Sequence, residues 1–267
     1  FVWVIDWYNY IVQHNPTPGG AIARGYQYLN GRGNAYETPL REHDRGRIYR
    51  LVWKGARPSA PLSLSPSRPL ELVQALRNDN MFWRTTAQRL LVERGNADVL
   101  PQLIAIINDR SVDAIGLNSP AVHALWTMQG LGVLDGRNAA ALDAARGALR
   151  HPAAGVRKAA LSVLPSTAQS VADLLSAGAL RDADLNVRLN ALLALSQMPA
   201  SIDAGRAVYA VGKEKEVVDD EWLPEAVWIA ATKHRDGFLQ AYAADIGLDE
   251  FMRIGVRGAR GEGGGGV

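Results

Sequence analysis

From about residue 57 to residue 250 apolar positions recur at helical spacing. Short polar turns interrupt them. A recurring unit is legible. A polar turn is followed by an apolar residue, often an arginine, and an alanine three or four places on. It stands at Trp83-Arg84 with Ala87, Val156-Arg157 with Ala160, and Val187-Arg188 with Ala191. Degenerate copies place Ala121 before Ala124 and Trp222-Leu223 before Ala226. The preceding turns are Asn78-Asp79-Asn80, Asn118-Ser119-Pro120, His151-Pro152, Asp182-Ala183-Asp184 and Asp219-Asp220. The alanines Ala87, Ala124, Ala160, Ala191 and Ala226 are 37, 36, 31 and 35 residues apart. A period in the thirties with two helical stretches per unit predicts an α-solenoid.

Each unit needs a first helix, and the pattern offers one at Leu70 to Leu76, Val99 to Ile107, Ala139 to Leu149, Val171 to Leu180 and Ala204 to Val211. Their apolar stripes are too narrow for stability alone, so stacking must stabilise them. A small residue at a fixed place on the second helix allows close packing. Asparagine and aspartate in the turns can accept N–H bonds at the helix starts. The arginines are expected to bond carbonyls or aspartates of the neighbouring turn. Trp126, Trp222 and Trp228 lie at helical spacing and are expected in the core. His123, His151 and His234 are expected at helix turns or on the surface.

Residues 1 to 56 alternate differently. A strand is expected from Phe1 to Trp7, read as buried with its hairpin partner missing. A second is expected from Arg47 to Lys54, between Gly46 and Gly55. In it Tyr49, Leu51 and Trp53 share one face, and Ile48, Arg50, Val52 and Lys54 the other. About forty residues separate the strands, with turn chemistry at Asn15 to Gly20 and Asn30 to Asn34. The tyrosines Tyr8, Tyr10, Tyr26, Tyr28 and Tyr36 argue for an ordered segment. A proline-rich linker, 57–67, joins this region to the solenoid, 68–250, and a glycine-rich linker, 251–267, follows. Both ends read as cuts from a longer protein.

Composition changes the picture by exclusion. The 267 residues include no cysteine, which removes disulfides, thiolate metal sites and a cysteine nucleophile from this chain. A net charge of +2 gives no argument for a nucleic-acid partner. No apolar run approaches a membrane span. There is no P-loop, G-x-G-x-x-G or G-x-S-x-G motif.

The Asp/Asn-x-x-Val-Arg-x-x-Ala units at Asp184 to Ala191 and, less perfectly, Asn80 to Ala87 resemble short HEAT repeats. The opening carries a second resemblance, through residues 6–15 (Asp6-Trp7-Tyr8-Asn9-Tyr10-Ile11-Val12-Gln13-His14-Asn15), 33–36 and 43–50. It is similar to the closing part of a bacterial β-propeller. The family is that of membrane-bound dehydrogenases related to soluble quinoprotein sugar dehydrogenases. The resemblance implies a mainly α chain: a HEAT-like α-solenoid preceded by a short β segment from the last propeller blade. It implies for the parent oxidation of a sugar-like alcohol with pyrroloquinoline quinone (PQQ) and calcium, haem c downstream, and a periplasmic or secreted location. No cofactor is expected within this chain, and this chain alone is not expected to be active. The solenoid would be a spacer or docking surface for the chain's own neighbouring domains. The alternative is a non-catalytic scaffold that binds another protein.

Candidate pocket or loop-anchoring residues are Asp6, Asn9, His14, Asn15, His43, Arg45 and Arg47. Asp6, His14, His43 and Asp44 could converge as metal ligands or an acid/base pair. Asp6 and His14 could equally hold the long segment by hydrogen bonds. Arg41, Arg45, Arg47 and Arg50 could hold an anion or a quinone carboxylate, or pair with Glu37, Glu42 and Asp44.

Overall fold

The computed structural model describes residues 2–6, 29–30, 36–37, 46–57 and 62–247. It is mainly helical and divides into two units, Phe1–Pro61 and Leu62–Val267.

In the first unit β1 (Val2–Asp6) pairs antiparallel with β4 (Arg47–Leu51), Val2 opposite Leu51 and Asp6 opposite Arg47. Two short strands, β2 (Leu29–Asn30) and β3 (Tyr36–Glu37), form a separate antiparallel pair. The expected strand at residue 1 therefore has a partner in this chain, some forty residues away, and it is not buried. Ile5 is 79% exposed and Ile48 69%, because a two-stranded ribbon covers neither of its faces.

The second unit holds helices α1 (Pro69–Ala75), α2 (Met81–Arg94), α3 (Leu100–Ile107), α4 (Ser119–Gly130), α5 (Ala139–Ala148), α6 (Ala154–Val163), α7 (Ala168–Ala177), α8 (Leu185–Gln197), α9 (Ile202–Gly212), α10 (Lys215–Val218), α11 (Leu223–Lys233) and α12 (Arg235–Ile246). Side chains start them as the turn residues suggest. Asn80 accepts from Phe82 N–H, Asn118 from Ala121 N–H, Asp184 from Asn186 and Val187 N–H, and Ser201 from Ala204 N–H. Gly95 and Gly178 end α2 and α7 in the left-handed conformation that glycine adopts without steric cost.

Helices α2, α4, α6, α8 and α11 touch in succession and form one row. Against it lie α1 on α2, α3 on α4, α5 on α6 and α9 on α11, while α7 touches α9. The core lies between the rows and uses small residues where helices come close. Ala87, Ala124, Ala160 and Ala191 are fully buried and Ala226 nearly so. Leu72, Leu91, Leu103, Leu125, Leu174 and Leu195 fill the spaces between them.

The tryptophans depart from expectation. Trp126 is 40% exposed, Trp222 63% and Trp228 68%. The buried stripe of α4 is Ala121, Ala124, Leu125 and Met128, and that of α11 is Leu223, Ala226, Val227, Ala230 and Ala231. Positions 126, 222 and 228 fall off those stripes. His151 and His234 do stand at helix turns, yet both are buried, so the surface reading fails for them.

Candidate functional site

Asp6 and Arg47 are brought together as cross-strand partners, with Arg47 Nε donating to Asp6 Oδ2 at 3.1 Å. Both side chains are substantially exposed, and an exposed ion pair contributes at most about 1 kcal/mol. Three register positions away Arg50 lies over the Trp3 ring, 5.8 Å from its centre. These contacts latch the ribbon. Asn9, His14, Asn15, His43 and Arg45 lie outside the described residues, as do Arg41, Glu42 and Asp44. Among the described residues no three His, Asp or Glu side chains converge on a metal-sized point.

In the helical unit the turns that join each first helix to its second form a polar edge. Arg157 illustrates its chemistry. Nη1 donates to His151 O and Pro152 O of its own turn, at 2.8 Å each. Nε and Nη2 grip both oxygens of Asp182 in the next turn at 2.6 Å. This two-pronged, partly buried pair raises the Arg157 pKa. Partial burial pushes Asp182 up, but the Arg157 bonds and the Asp184 N–H outweigh it and the net shift is down. Arg188 repeats the theme, with Nε donating to Asp182 O and Nη1 facing Glu214 and Glu216.

Two histidines stitch turns as well, His151 on this edge and His234 on the opposite one, between α11 and α12. An amide N–H only donates and a carbonyl only accepts, so each ring's tautomer follows from its partners. His151 Nδ1 accepts from Ala153 N–H and its Nε2 donates to Asp109 O, 3.0 Å each. His234 Nδ1 accepts from Ser201 N–H and its Nε2 donates to Leu195 O, again 3.0 Å each. His123 links α4 to α2 through Gln88 at 2.7 Å. The sequence signal for His151 was its place beside Pro152, where α6 lacks a capping side chain of its own.

On the helices of the continuous row, the residue two places after each repeat alanine is exposed. These are Arg89, Trp126, Ser162, Leu193 and Trp228. A shared register on successive touching helices puts them in one line. Two clefts adjoin that line. One of about 240 Å³ lies between α6 and α8, lined by Leu161, Leu164, Leu193 and Met198 among others. Another of about 230 Å³ is apolar, lined by Tyr209, Val217, Val218, Pro224, Trp228 and Phe238 among others. Three of the five residues on that line, Trp126, Leu193 and Trp228, are large and apolar. No protein-family model matches the chain, and no curated protein matches it.

Proposed function

We propose that the helical unit is an α-solenoid of the HEAT type that serves as a docking scaffold for a protein. The observation that carries this reading is the line of Trp126, Leu193 and Trp228 at one register of the continuous row, flanked by apolar clefts. Large exposed apolar side chains at a shared register favour contact with another protein, and tryptophan is prominent among residues that carry binding energy. The test is the triple variant Trp126→Ser, Leu193→Ser, Trp228→Ser. All three side chains are substantially exposed, so the melting temperature should stay close to that of the parent. Capture of the partner that the parental chain crosslinks to in its host should fall about tenfold or more. Equal capture by the variant, or no protein partner for the parental chain, would overturn the reading.

A wider reading makes the scaffold a spacer or docking part of a quinoprotein dehydrogenase-like protein. It is favoured by β1 and β4, whose exposed Trp3, Ile5, Ile48 and Leu51 suit a strand pair that belongs to a larger sheet. In that reading PQQ and calcium act elsewhere in the parent. This chain, given both with a dye acceptor, should oxidise no sugar, and robust turnover would refute that arrangement.

A further inference from the structure

The apolar cleft of about 230 Å³ lies where α9, α10, α11 and α12 meet. One wall is braced. The Tyr209 ring stands edge-on to Phe238 with centres 5.3 Å apart, and its hydroxyl donates to Asp245 Oδ2 at 2.6 Å. Lys213 Nζ donates to the same oxygen at 2.8 Å and lies over the Tyr209 ring. The mouth is uncovered. Helix α10 has four residues; it buries Val217 and leaves Val218 exposed. Trp228, which also lines the cleft, is exposed, as are Ile229 and Trp222 at the start of α11. A cavity of about 150 Å³ accepts a benzene ring, so this cleft has room for one large apolar side chain.

The chain around that mouth carries surplus negative charge. From Lys213 to Glu225 there are six acids and two lysines. Both lysines are engaged, Lys213 with Asp245 and Lys215 with Asp219. Glu214 is held by Arg181 and Arg188, and Glu216 faces Arg188. Asp220 Oδ1 accepts from Trp222 and Leu223 N–H at the start of α11. Glu221 and Glu225 are exposed and have no cationic partner among the described residues. Glu225 follows Pro224 of the cleft wall and precedes Trp228 and Ile229 by three and four residues, so it shares their face of α11.

We propose that this cleft takes one large apolar side chain of a basic peptide segment, whose neighbouring lysine or arginine side chains face Glu221 and Glu225. The proposal rests on the docking-scaffold reading and adds to it the chemistry of the partner. An apolar anchor filling a pocket carries most of the energy of such a contact. Unpaired acids at the rim speed the approach of a cationic segment and repel an acidic one, so they set the choice of partner. Trp126 and Leu193 do not line the cleft and carry no part of this argument.

The test uses the full chain and three peptides at constant ionic strength. They are acetylated Ser-Lys-Lys-Phe-Leu-Lys-Lys-Ser, its analogue with glutamate for every lysine, and its analogue with serine for phenylalanine and leucine. The readout is the Trp228 indole N–H signal in nitrogen-edited NMR. The lysine peptide should move it saturably, and each analogue should bind at least about tenfold more weakly. Glu221→Gln combined with Glu225→Gln keeps both shapes and removes both charges. That variant should melt with the parent and bind the lysine peptide about threefold or more weakly. Equal binding of the lysine peptide and either analogue would overturn the inference, as would an unmoved Trp228 signal or undiminished affinity in the variant. So would a shift that grows with protein concentration alone, which would assign the cleft to a second copy of this chain. Capture of the host partner tests the scaffold reading separately, so the two failures are told apart.

Discussion

At the scale of single residues, the strongest constraints are small side chains and buried imidazoles. Ala191 is fully buried where α8 meets its neighbours, so Ala191→Leu overpacks its site. The expected cost is about 1–3 kcal/mol, read as a fall of several degrees in a thermal melt. The histidines give a pH dependence of definite sign. His234 is held below the ordinary histidine value of 6.5 by burial, which outweighs the opposing bond to Leu195 O, with Lys233 adding to the lowering. His123 is lowered by burial and then by Arg84. A group whose folded pKa is depressed binds its proton more readily in the unfolded chain. Stability therefore declines as pH falls below about 6.5, and the decline ends below the folded values. Melting temperatures from about pH 7.5 to about pH 5 should show it, with a shallower fall for His234→Gln. An unchanged slope in that variant would show that other groups carry the acid sensitivity.

At the scale of elements, α9 and α12 approach most closely, and glycine permits it. A Cβ on Gly237 would overlap the Ile202 carbonyl, and one on Gly205 would lie 2.5 Å from Phe238 N. Both obstacles are backbone and cannot swing aside. Gly237→Ala should separate the pair and cost at least about 1–3 kcal/mol, with amide exchange accelerated first in α12. The same pair shows where sequence reading stops. Helices α1, α3, α5, α7 and α9 and the buried alanines Ala87, Ala124, Ala160, Ala191 and Ala226 were legible, because a turn residue, an apolar stripe and a small residue recur together. Helix α12 lacks that signature: its buried contact is Gly237, which carries no apolar signal. The tryptophans misled for a related reason, since spacing alone does not say which side of a helix its neighbours cover. Of the site candidates, the Asp6–Arg47 pair is brought together by strand register, which alternation alone could not fix. The cleft beside Trp228 is made where four helices meet, which no local pattern announces.

At the scale of the whole molecule the two units differ in what sustains them. Residues 62–247 have a continuous core running through both rows of helices. Expressed alone, they should keep the main melting transition of the full chain within a few degrees. Residues 1–56 alone should give a poorly dispersed amide spectrum, because a two-stranded ribbon is marginal in water. A well-dispersed spectrum would overturn this, and a large loss of melting temperature in 62–247 would reveal stabilising contact between the units.

The polar stitching of the turns has a mechanical side. Arg77 holds Asp109, the Asp109 carbonyl holds His151, Arg110 holds the Arg150 carbonyl, Arg150 holds the Ser176 carbonyl, Arg157 holds Asp182, and Arg181 holds Glu214. These bonds run turn to turn along one edge of the stack. Bonds of this kind keep a narrow length of about 2.7–3.2 Å and a preferred angle, whereas the hydrophobic contacts beside them are non-directional. That edge is therefore tied turn by turn, whereas the opposite edge carries fewer such bonds among the described residues, His234 to Ser201 N–H and the Leu195 carbonyl and Ser166 to the Gln197 carbonyl. Pulled from its ends, the helical unit should part first at the turns with fewer such bonds and last along its row of arginines.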